Sequence, residues 1–471
     1  MEEKKRGTFS GSIGFILAAA GSAVGLGNMW RFPYLAARNG GGLFLVIYII
    51  LALTFGFTML TTEIAIGRKT KQSPLTAFSQ LSKKFKFAGV FACIVPFIIL
   101  PYYCAIGGWV IKYFVDFIIG NGEAATADGY FGGFITSQWA PIIYMLIFFA
   151  LTAFAVFKGV EGGIEKLSKI LMPALIVIVI CVSIFSLTLK HTDAGVTRTG
   201  LEGLKIYVLP SFEGVTVGKF FSILMDAMGQ LFFSLSVAMG VMIAYGSYVK
   251  DEDNLGKSVN QIEIFDTGVA FFAGVMIIPA VFTFLGREGL ESSGPGLMFV
   301  ALPKVFQAMG PVVGRIVGIV FFAMVLFAAL TSSVSIMEAV VASFNDQFHW
   351  ERKKSCIIES ICCLVIAIVV CLGYNVFMFE ITLPNGAAAQ ILDILDYLSN
   401  NLLMPIVAIA ECILIGWVCG PKTIEDEICK GGNKFGRKGL YNVMVKFIAP
   451  ILLFVLLLRA VGIFNILGIN L

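Results

Sequence analysis

Between Ala18 and Gly42 the chain reads "AAAGSAVGLGNMWRFPYLAARNGGG". The stretch starts as an apolar run fit to cross a bilayer, then carries Gly21, Gly25, Gly27, Asn28 and Arg31. Each is disfavoured in hydrocarbon, where exposed backbone and charge are costly. Irregular backbone at that depth is tolerated only where it lines protein or a polar cavity. Freed carbonyls there suit a cation, and N–H groups at a half-helix N-terminus suit a carboxylate. Close packing of helices through small residues would account for the glycines alone, but not for Asn28 and Arg31.

Three other stretches carry the same kind of chemistry. "DAMGQLFFSLSVAMGVMIAYGSYVKDEDN" mixes hydroxyls and a glycine, Ser234 to Gly240, into an apolar run. Asp266, in "NQIEIFDTGVAFFAG", has no Lys or Arg close in sequence. A lone buried carboxylate protonates unless a cation sits beside it, so Asp266 is a metal-cation ligand, a proton carrier, or both in alternation. In "FAALTSSVSIMEA" the Ala328 carbonyl and the Thr331 and Ser332 hydroxyls fall at i, i+3 and i+4, on one helix face. They can replace the water shell of a small monovalent ion, or the hydroxyls can simply bond back to their own helix. Arg31 needs a partner, and "LDILDYLSNN" offers Asp393 and Asp396. An Arg31–Asp396 pair could be a closable gate or a static buried ion pair.

Such residues need membrane helices to position them. Of 471 residues 58% are hydrophobic and only 14% charged, with 43 Phe and 50 Gly, which excludes a soluble chain of this length. Apolar windows long enough to span fall at 12–36, 41–68, 89–120, 139–157, 166–189, 219–248, 260–285, 311–345, 355–378, 386–419 and 440–467. The expected fold class is therefore an all-α integral membrane protein of eleven spans, one domain over 1–471. The N-terminus "MEEKKRGTFSGS" leads into an uncleaved first span.

Lys and Arg collect in alternate loops, including Lys4, Lys5, Arg6 and Arg352, Lys353, Lys354, whereas "NGEAATADGYFGGFITSQW" has none. The N-terminus is thus expected in the cytoplasm and the C-terminus outside, in the cell's plasma membrane. Ten cysteines avoid the expected outer loops and read as apolar fillers, and His191 and His349 sit in different loops. Two long outer loops, 190–218 and 286–310, are expected. The second contains "LMFVALPKVFQ", which could fold back on the protein as a lid or lie on the surface. The interrupted spans are the first and the sixth. Five spans separate their starting points, so the chain enters them from opposite sides, as in an inverted repeat of 12–189 and 219–419 with 440–467 outside it.

At these residues the sequence strongly resembles the neurotransmitter:sodium symporter family, in particular its bacterial amino-acid transporters. The likeness runs from "GFILAAAGSAVGLGNMWRFPYLAARNGGG" through "YIILALTFGFTMLTTEIAIGR" and "GQLFFSLSVAMG" to "FAALTSSVSIM". It implies a five-plus-five inverted repeat with unwound first and sixth helices, and sodium-coupled amino-acid symport by alternating access. One sodium site would use the Ala23 carbonyl, Asn28, Ser234, Asp266 and the substrate carboxylate. A second would use carbonyls of Gly21, Val24 and Ala328 with the hydroxyls of Thr331 and Ser332.

Substrate would meet Ala23, Gly25, Gly27, Phe233, Ser234 and Ser236, with the Tyr103 hydroxyl on its carboxylate. Its side chain would face Ile99, Phe233, Ser236, Ala238, Met239, Ser332 and Ile336. Tyr103 and Phe233 would form an inner lid and Arg31 with Asp396 the outer gate. Arg6, Asp346 and Tyr248 would latch the cytoplasmic side, beside a Phe9 where relatives often have Trp. Gly25 takes the place of an aspartate found in monoamine-carrying relatives and leaves room for a real carboxylate. Asp266 would supply the fixed negative charge that replaces chloride, and could take a proton on the empty return.

The likeness has departures. Many relatives have twelve spans, and Ala238 and Met239 stand where a glycine and a bulkier aromatic are common. The expected substrate is a hydrophobic or aromatic amino acid, and the only cofactors two sodium ions. No nucleic acid and no organic cofactor are expected, and the chain lacks the nucleophile or His/Cys cluster of an enzyme. A sodium symporter for another small amino-acid-like solute, or an ion channel, are the alternatives.

Overall fold

The computed structural model describes residues 7–193, 195–292 and 294–467. Among these, nine helices are long and apolar enough to cross a membrane: Gly42–Thr70, Lys83–Ile119, Ala140–Phe157, Val160–Thr188, Leu255–Gly289, Pro311–Phe348, Arg352–Leu372, Ile391–Val418 and Lys438–Ala460. A tenth span is a broken pair, Ser12–Ala23 and Gly27–Arg38, bent by 53°. The expected sixth span is the helix Val217–Ser234, an irregular stretch over 235–240, and the short helix Val241–Gly246. Several helices extend beyond their apolar windows, as Lys83–Ile119 does beyond 89–120, because helical hydrogen bonding continues into the polar interface.

Both breaks fall where the sequence places polar and small residues. In the first, Val24 has extended backbone (φ −76°, ψ 92°), and Gly27–Arg31 resumes as one wide π-type turn. In the second, Ser236, Ala238 and Gly240 all take positive φ, at 53°, 59° and 72°. Two non-glycine residues in that region signal a backbone held by its surroundings. The arm Ser12–Ala23 packs against Pro311–Phe348 and Leu255–Gly289, so the first break faces the helices bearing Ser332 and Asp266.

The segment containing "LMFVALPKVFQ" is buried, not laid on the surface. Phe299 is its anchor, with ring centroids 5.0 Å from Tyr113, 5.1 Å from Phe131, 6.0 Å from Trp109 and 6.3 Å from Trp30. The Tyr113 hydroxyl donates to the Phe299 carbonyl at 2.8 Å. Aromatic contacts of this kind contribute about 0.5–1.5 kcal/mol each beyond area burial. Residues 190–218 also carry structure. A hairpin pairs Lys190–Asp193 with Val196–Thr199, and Thr199 then caps the helix Gly200–Val208 in a capping box with Glu202. "TGLE" is the sequence form of that box.

The second span and the inner arm of the sixth touch backbone to backbone. A Cβ added to Gly67 would lie 2.0 Å from the Ile243 carbonyl oxygen, and one on Gly246 2.3 Å from that of Ile64. A side chain at Gly67 must therefore push the two helices apart. Gly67→Ala is expected to destabilise the protein by about 1–3 kcal/mol or more, read as a lower midpoint in thermal unfolding. Gly132→Ala, which meets open space, should leave that midpoint unchanged or slightly raised.

Candidate functional site

The two breaks meet each other. The Ser22 hydroxyl donates to Ser236 Oγ at 3.1 Å, and Ser236 Oγ also lies 3.0 Å from the Ser22 carbonyl oxygen. Beside them Asp266 gathers donors from three elements. Its Oδ1 accepts from Asn28 Nδ2 at 2.9 Å and from Ser234 Oγ at 2.7 Å, and Oδ2 lies 3.5 Å from the Tyr48 hydroxyl. Asn28 Oδ1 in turn accepts from the Gly25 N–H at 3.2 Å and from Ser234 Oγ at 3.3 Å. All three expected side-chain oxygen sources, Asn28, Ser234 and Asp266, are buried and within hydrogen-bond reach of each other. Ala23 ends the helical arm that leads into them. Tyr48 joins this cluster without any signal in the sequence, since a tyrosine in an apolar span reads as packing.

The eighth helix closes the other side. Ser332 Oγ lies 3.0 Å from the Ser22 carbonyl oxygen, 3.3 Å from that of Gly21 and 3.4 Å from that of Val24. Thr331 Oγ1 bonds back to its own helix, at 3.0 Å from the Phe327 and 3.1 Å from the Ala328 carbonyl oxygen. Thr331 thus bonds within its own helix, whereas Ser332 reaches the first break. Gly21 packs directly on Thr331, whose Cβ would be 3.1 Å from an added Cβ. This is a site of neutral oxygens, the donor set that hard cations favour. Among the described residues no group of three or more His, Cys, Asp or Glu could hold a metal ion.

Gly25 lies between these clusters. A Cβ there would come 2.9 Å from Ser332 Oγ and 3.2 Å from the Tyr103 hydroxyl. That hydroxyl accepts from the Leu26 N–H at 3.4 Å. Phe233 packs over Gly27, 3.0 Å from an added Cβ, and Gln230 Nε2 donates to the Gly27 carbonyl at 3.2 Å. Gln230 was open to detection as a polar residue in the run "GQLFF". Ile99 lies one turn before Tyr103 and Ile336 one turn after Ser332, both buried, on the same faces as those hydroxyls. Met239 is buried in the second break, and Ala238 sends its N–H to the Glu63 carboxylate, a partner the sequence reading missed.

The gate residues are placed less simply. Arg31, with Phe233, Asp226, Asn400 and Arg459, lines a cavity of about 310 Å³. Asp396 accepts from the Tyr102 hydroxyl at 3.1 Å and from Asn400 Nδ2 at 2.6 Å. Among the described residues no ion pair joins Arg31 to Asp396; Asp226 pairs with Arg459 at 2.8 Å instead. On the opposite side, Arg6 lies outside the described residues. Asp346 accepts the Ser73 N–H at 2.6 Å, and the Tyr248 hydroxyl donates to Glu338 at 2.7 Å. Phe9 is buried there, its ring centroid 5.7 Å from that of Tyr245.

The sodium:neurotransmitter symporter family model matches residues 6–121 and 131–470. The chain belongs to that family. It is 32% identical to an uncharacterized sodium-dependent transporter, YhdH, of Bacillus subtilis, over 99% of this chain and 100% of that one. A human sodium- and chloride-dependent GABA transporter 2 is 26% identical, over 90% of this chain and 75% of its own length. Among solved structures, MhsT in complex with L-phenylalanine matches with a TM-score of 0.84 and 34% identity, covering 97% of this chain and 100% of that one. The protein is thus a multi-pass, sodium-dependent membrane transporter and not an enzyme.

The link between the two breaks can be measured. Ser22→Ala and Ser236→Ala are each expected to destabilise the protein. In a double-mutant cycle their coupling should be about 0.5–1.5 kcal/mol, one net buried hydrogen bond. Additive effects in denaturant unfolding would show the two breaks to be energetically independent.

Proposed function

We propose that the protein takes up a hydrophobic or aromatic L-α-amino acid with two sodium ions by alternating access. The observation that carries this reading is the placement of Gly25 between two oxygen clusters: Asn28, Ser234 and Asp266 on one side, and Ser332 with the Gly21, Ser22 and Val24 carbonyls on the other. A glycine there leaves space for a substrate carboxylate within reach of the Tyr103 hydroxyl. The carboxylate would complete the shell of a sodium held by the Ala23 carbonyl, Asn28, Ser234 and Asp266, so ion and substrate each raise the other's affinity. A second sodium would use carbonyls of Gly21, Val24 and Ala328 with Thr331 and Ser332. The amino-acid side chain would lie against Ile99, Phe233, Ser236, Ala238, Met239, Ser332 and Ile336. MhsT, solved in complex with L-phenylalanine, supports an aromatic amino acid as the substrate.

Two ions are worth having. A tenfold gradient supplies ~1.4 kcal/mol per ion and 100 mV adds ~2.3 per charge. Together that is about 7 kcal/mol, roughly five decades of accumulation for a zwitterion.

Asp266 is a carboxylate already inside the first shell, so no chloride is needed to balance the ions. Phe233 over Gly27 with Tyr103 would act as the inner lid. The Arg31 side, with its cavity, would be the outer entrance, where Arg31 meets Asp396 when the gate shuts. The buried Phe9 and the Tyr248–Glu338 bond would hold the cytoplasmic side closed, with Arg6 and Asp346 as the expected latch. The topology that accompanies this reading is eleven spans with a cytoplasmic N-terminus and an inverted repeat of 12–189 and 219–419.

In proteoliposomes an inward sodium gradient should drive labelled L-phenylalanine to concentrations above the bath, undiminished when gluconate replaces chloride. Asp266→Asn should lower sodium-stimulated uptake at least about tenfold, a loss of ~1.4 kcal/mol or more. Full sodium-stimulated uptake by that variant would remove Asp266 from the ion site. Competition by the other amino acids would define the side-chain preference.

A further inference from the structure

A groove of about 310 Å³ opens on the outside of the molecule between the second span, Gly42–Thr70, and the seventh, Leu255–Gly289. Phe32, Tyr48 and Ala52 form its buried floor, and Ile49, Leu53 and Ile264 its exposed lips. Three features set it apart from a plain apolar surface. Arg437 closes one end: its guanidinium donates to the Leu53 carbonyl at 3.0 Å and to Glu263 Oε2 at 2.8 Å, so it joins the two helices that form the groove. Exposed Lys434 and Lys438 flank it in sequence, the second paired with Glu425, and this end is basic. One helical turn on from Glu263, the Thr267 hydroxyl is buried in the wall with no hydrogen-bond partner among the described residues. Beside it the wall is open at Gly268, where an added Cβ would meet nothing within 4 Å.

Each feature meets a different part of one molecule. We propose that the groove binds an anionic glycerophospholipid of the adjoining leaflet, and that its occupancy strengthens sodium binding at Asp266. The phosphate sits against Arg437 and Lys434, the basic end. A zwitterionic lipid brings its own cation to that end and binds more weakly. The ester carbonyls lie deeper than the phosphate, one helical turn along, where the Thr267 hydroxyl has a hydrogen bond to give. One acyl chain then runs past Gly268 towards Leu45 and Phe271. The coupling runs through Tyr48. Its ring is part of the groove floor, with its centroid 4.8 Å from that of Phe32, and its hydroxyl lies 3.5 Å from Asp266 Oδ2. A chain packed on the ring holds that hydroxyl beside the carboxylate. An empty groove leaves the ring room to turn away, and the carboxylate then loses one of the groups that orient it. The lipid thus favours the form of the site that sodium favours, which is what coupling between two sites requires.

The inference rests on the reading of Asp266 as a sodium ligand, so the groove and its coupling are tested apart. The full chain is reconstituted in phosphatidylcholine vesicles with a trace of photoreactive lipid, either phosphatidylglycerol or phosphatidylcholine carrying a diazirine in the acyl chain. The phosphatidylglycerol probe should label peptides covering 45–53 and 263–271 at least about fivefold more than the other. Gly268→Leu, which fills the groove, should abolish that preference. Equal labelling of the wild type by both probes shows ordinary solvating lipid, and labelling by neither shows another chain covering the groove; both overturn the site. Binding of radioactive sodium to the purified protein is then compared between phosphatidylcholine and phosphatidylglycerol vesicles, with no transported solute. Half-saturation should fall at least about fivefold further in the wild type than in Gly268→Leu or Tyr48→Phe, which meet the same vesicle charge. Tyr48→Phe should keep the labelling preference. Equal shifts in the wild type and both variants overturn the coupling. Absence of sodium binding in either vesicle would defeat the symport reading itself, and the labelling would still decide the groove.

Discussion

Backbone that leaves the helix in mid-membrane must find partners, and this constraint organises the molecule. Water is not there to take up the freed N–H and C=O groups, and each one left alone costs several kcal/mol. The first break answers the second through Ser22 and Ser236, and Ser332 covers three carbonyls of the first. Gln230 takes the Gly27 carbonyl and Glu63 takes the Ala238 N–H. The partners come from the second, sixth and eighth spans, so satisfying two short stretches ties distant parts of the chain together. The same partners gather oxygen atoms around Gly25, a polar lining that lipid cannot give.

Charge is managed with equal economy. Arg352, which starts the ninth span, is paired with the buried Glu338, and that carboxylate also receives the Tyr248 hydroxyl. Arg68 at the end of the second span is fully buried and bonds to Glu427 at 2.7 Å. In each pair the arginine lies at or near a helix end. By contrast Asp266, Glu63 and Glu411 lie deep in spans with no Lys or Arg in a salt bridge to them among the described residues. Acidic groups without cationic partners are where a membrane protein can exchange cations or protons. The two ends also differ: Phe9 and its aromatic neighbours close one, and a cavity beside Arg31 opens the other.

Much of this was legible in the residues because hydrocarbon is an unforgiving solvent. A long apolar run must be a helix, and a run interrupted by glycine, asparagine and serine must bury its interruption. So the helices, the two breaks and the polar residues that line them could be read directly from "SAVGLGN", "SLSVAMG" and "LTSSVS". The helix ends were less legible, since hydrogen bonding continues past the apolar window. The hairpin and capped helix of 190–208 lie in a polar loop where hydrophobic patterning is silent, although "TGLE" carried a local signal.

What the sequence by itself determined is which residues are out of place in a membrane, and therefore which must be used. Only the tertiary structure decided who answers whom. Spacing along a helix shows which groups share a face, but not which distant helix that face meets. Ser332 bridges to the first break while its neighbour Thr331 bonds back to its own helix. Asp396 is held by Tyr102 and Asn400 rather than paired with Arg31, and Glu63 reaches Ala238 from 175 positions away. Pairings between spans are set by how helices pack against each other, and no local pattern encodes that.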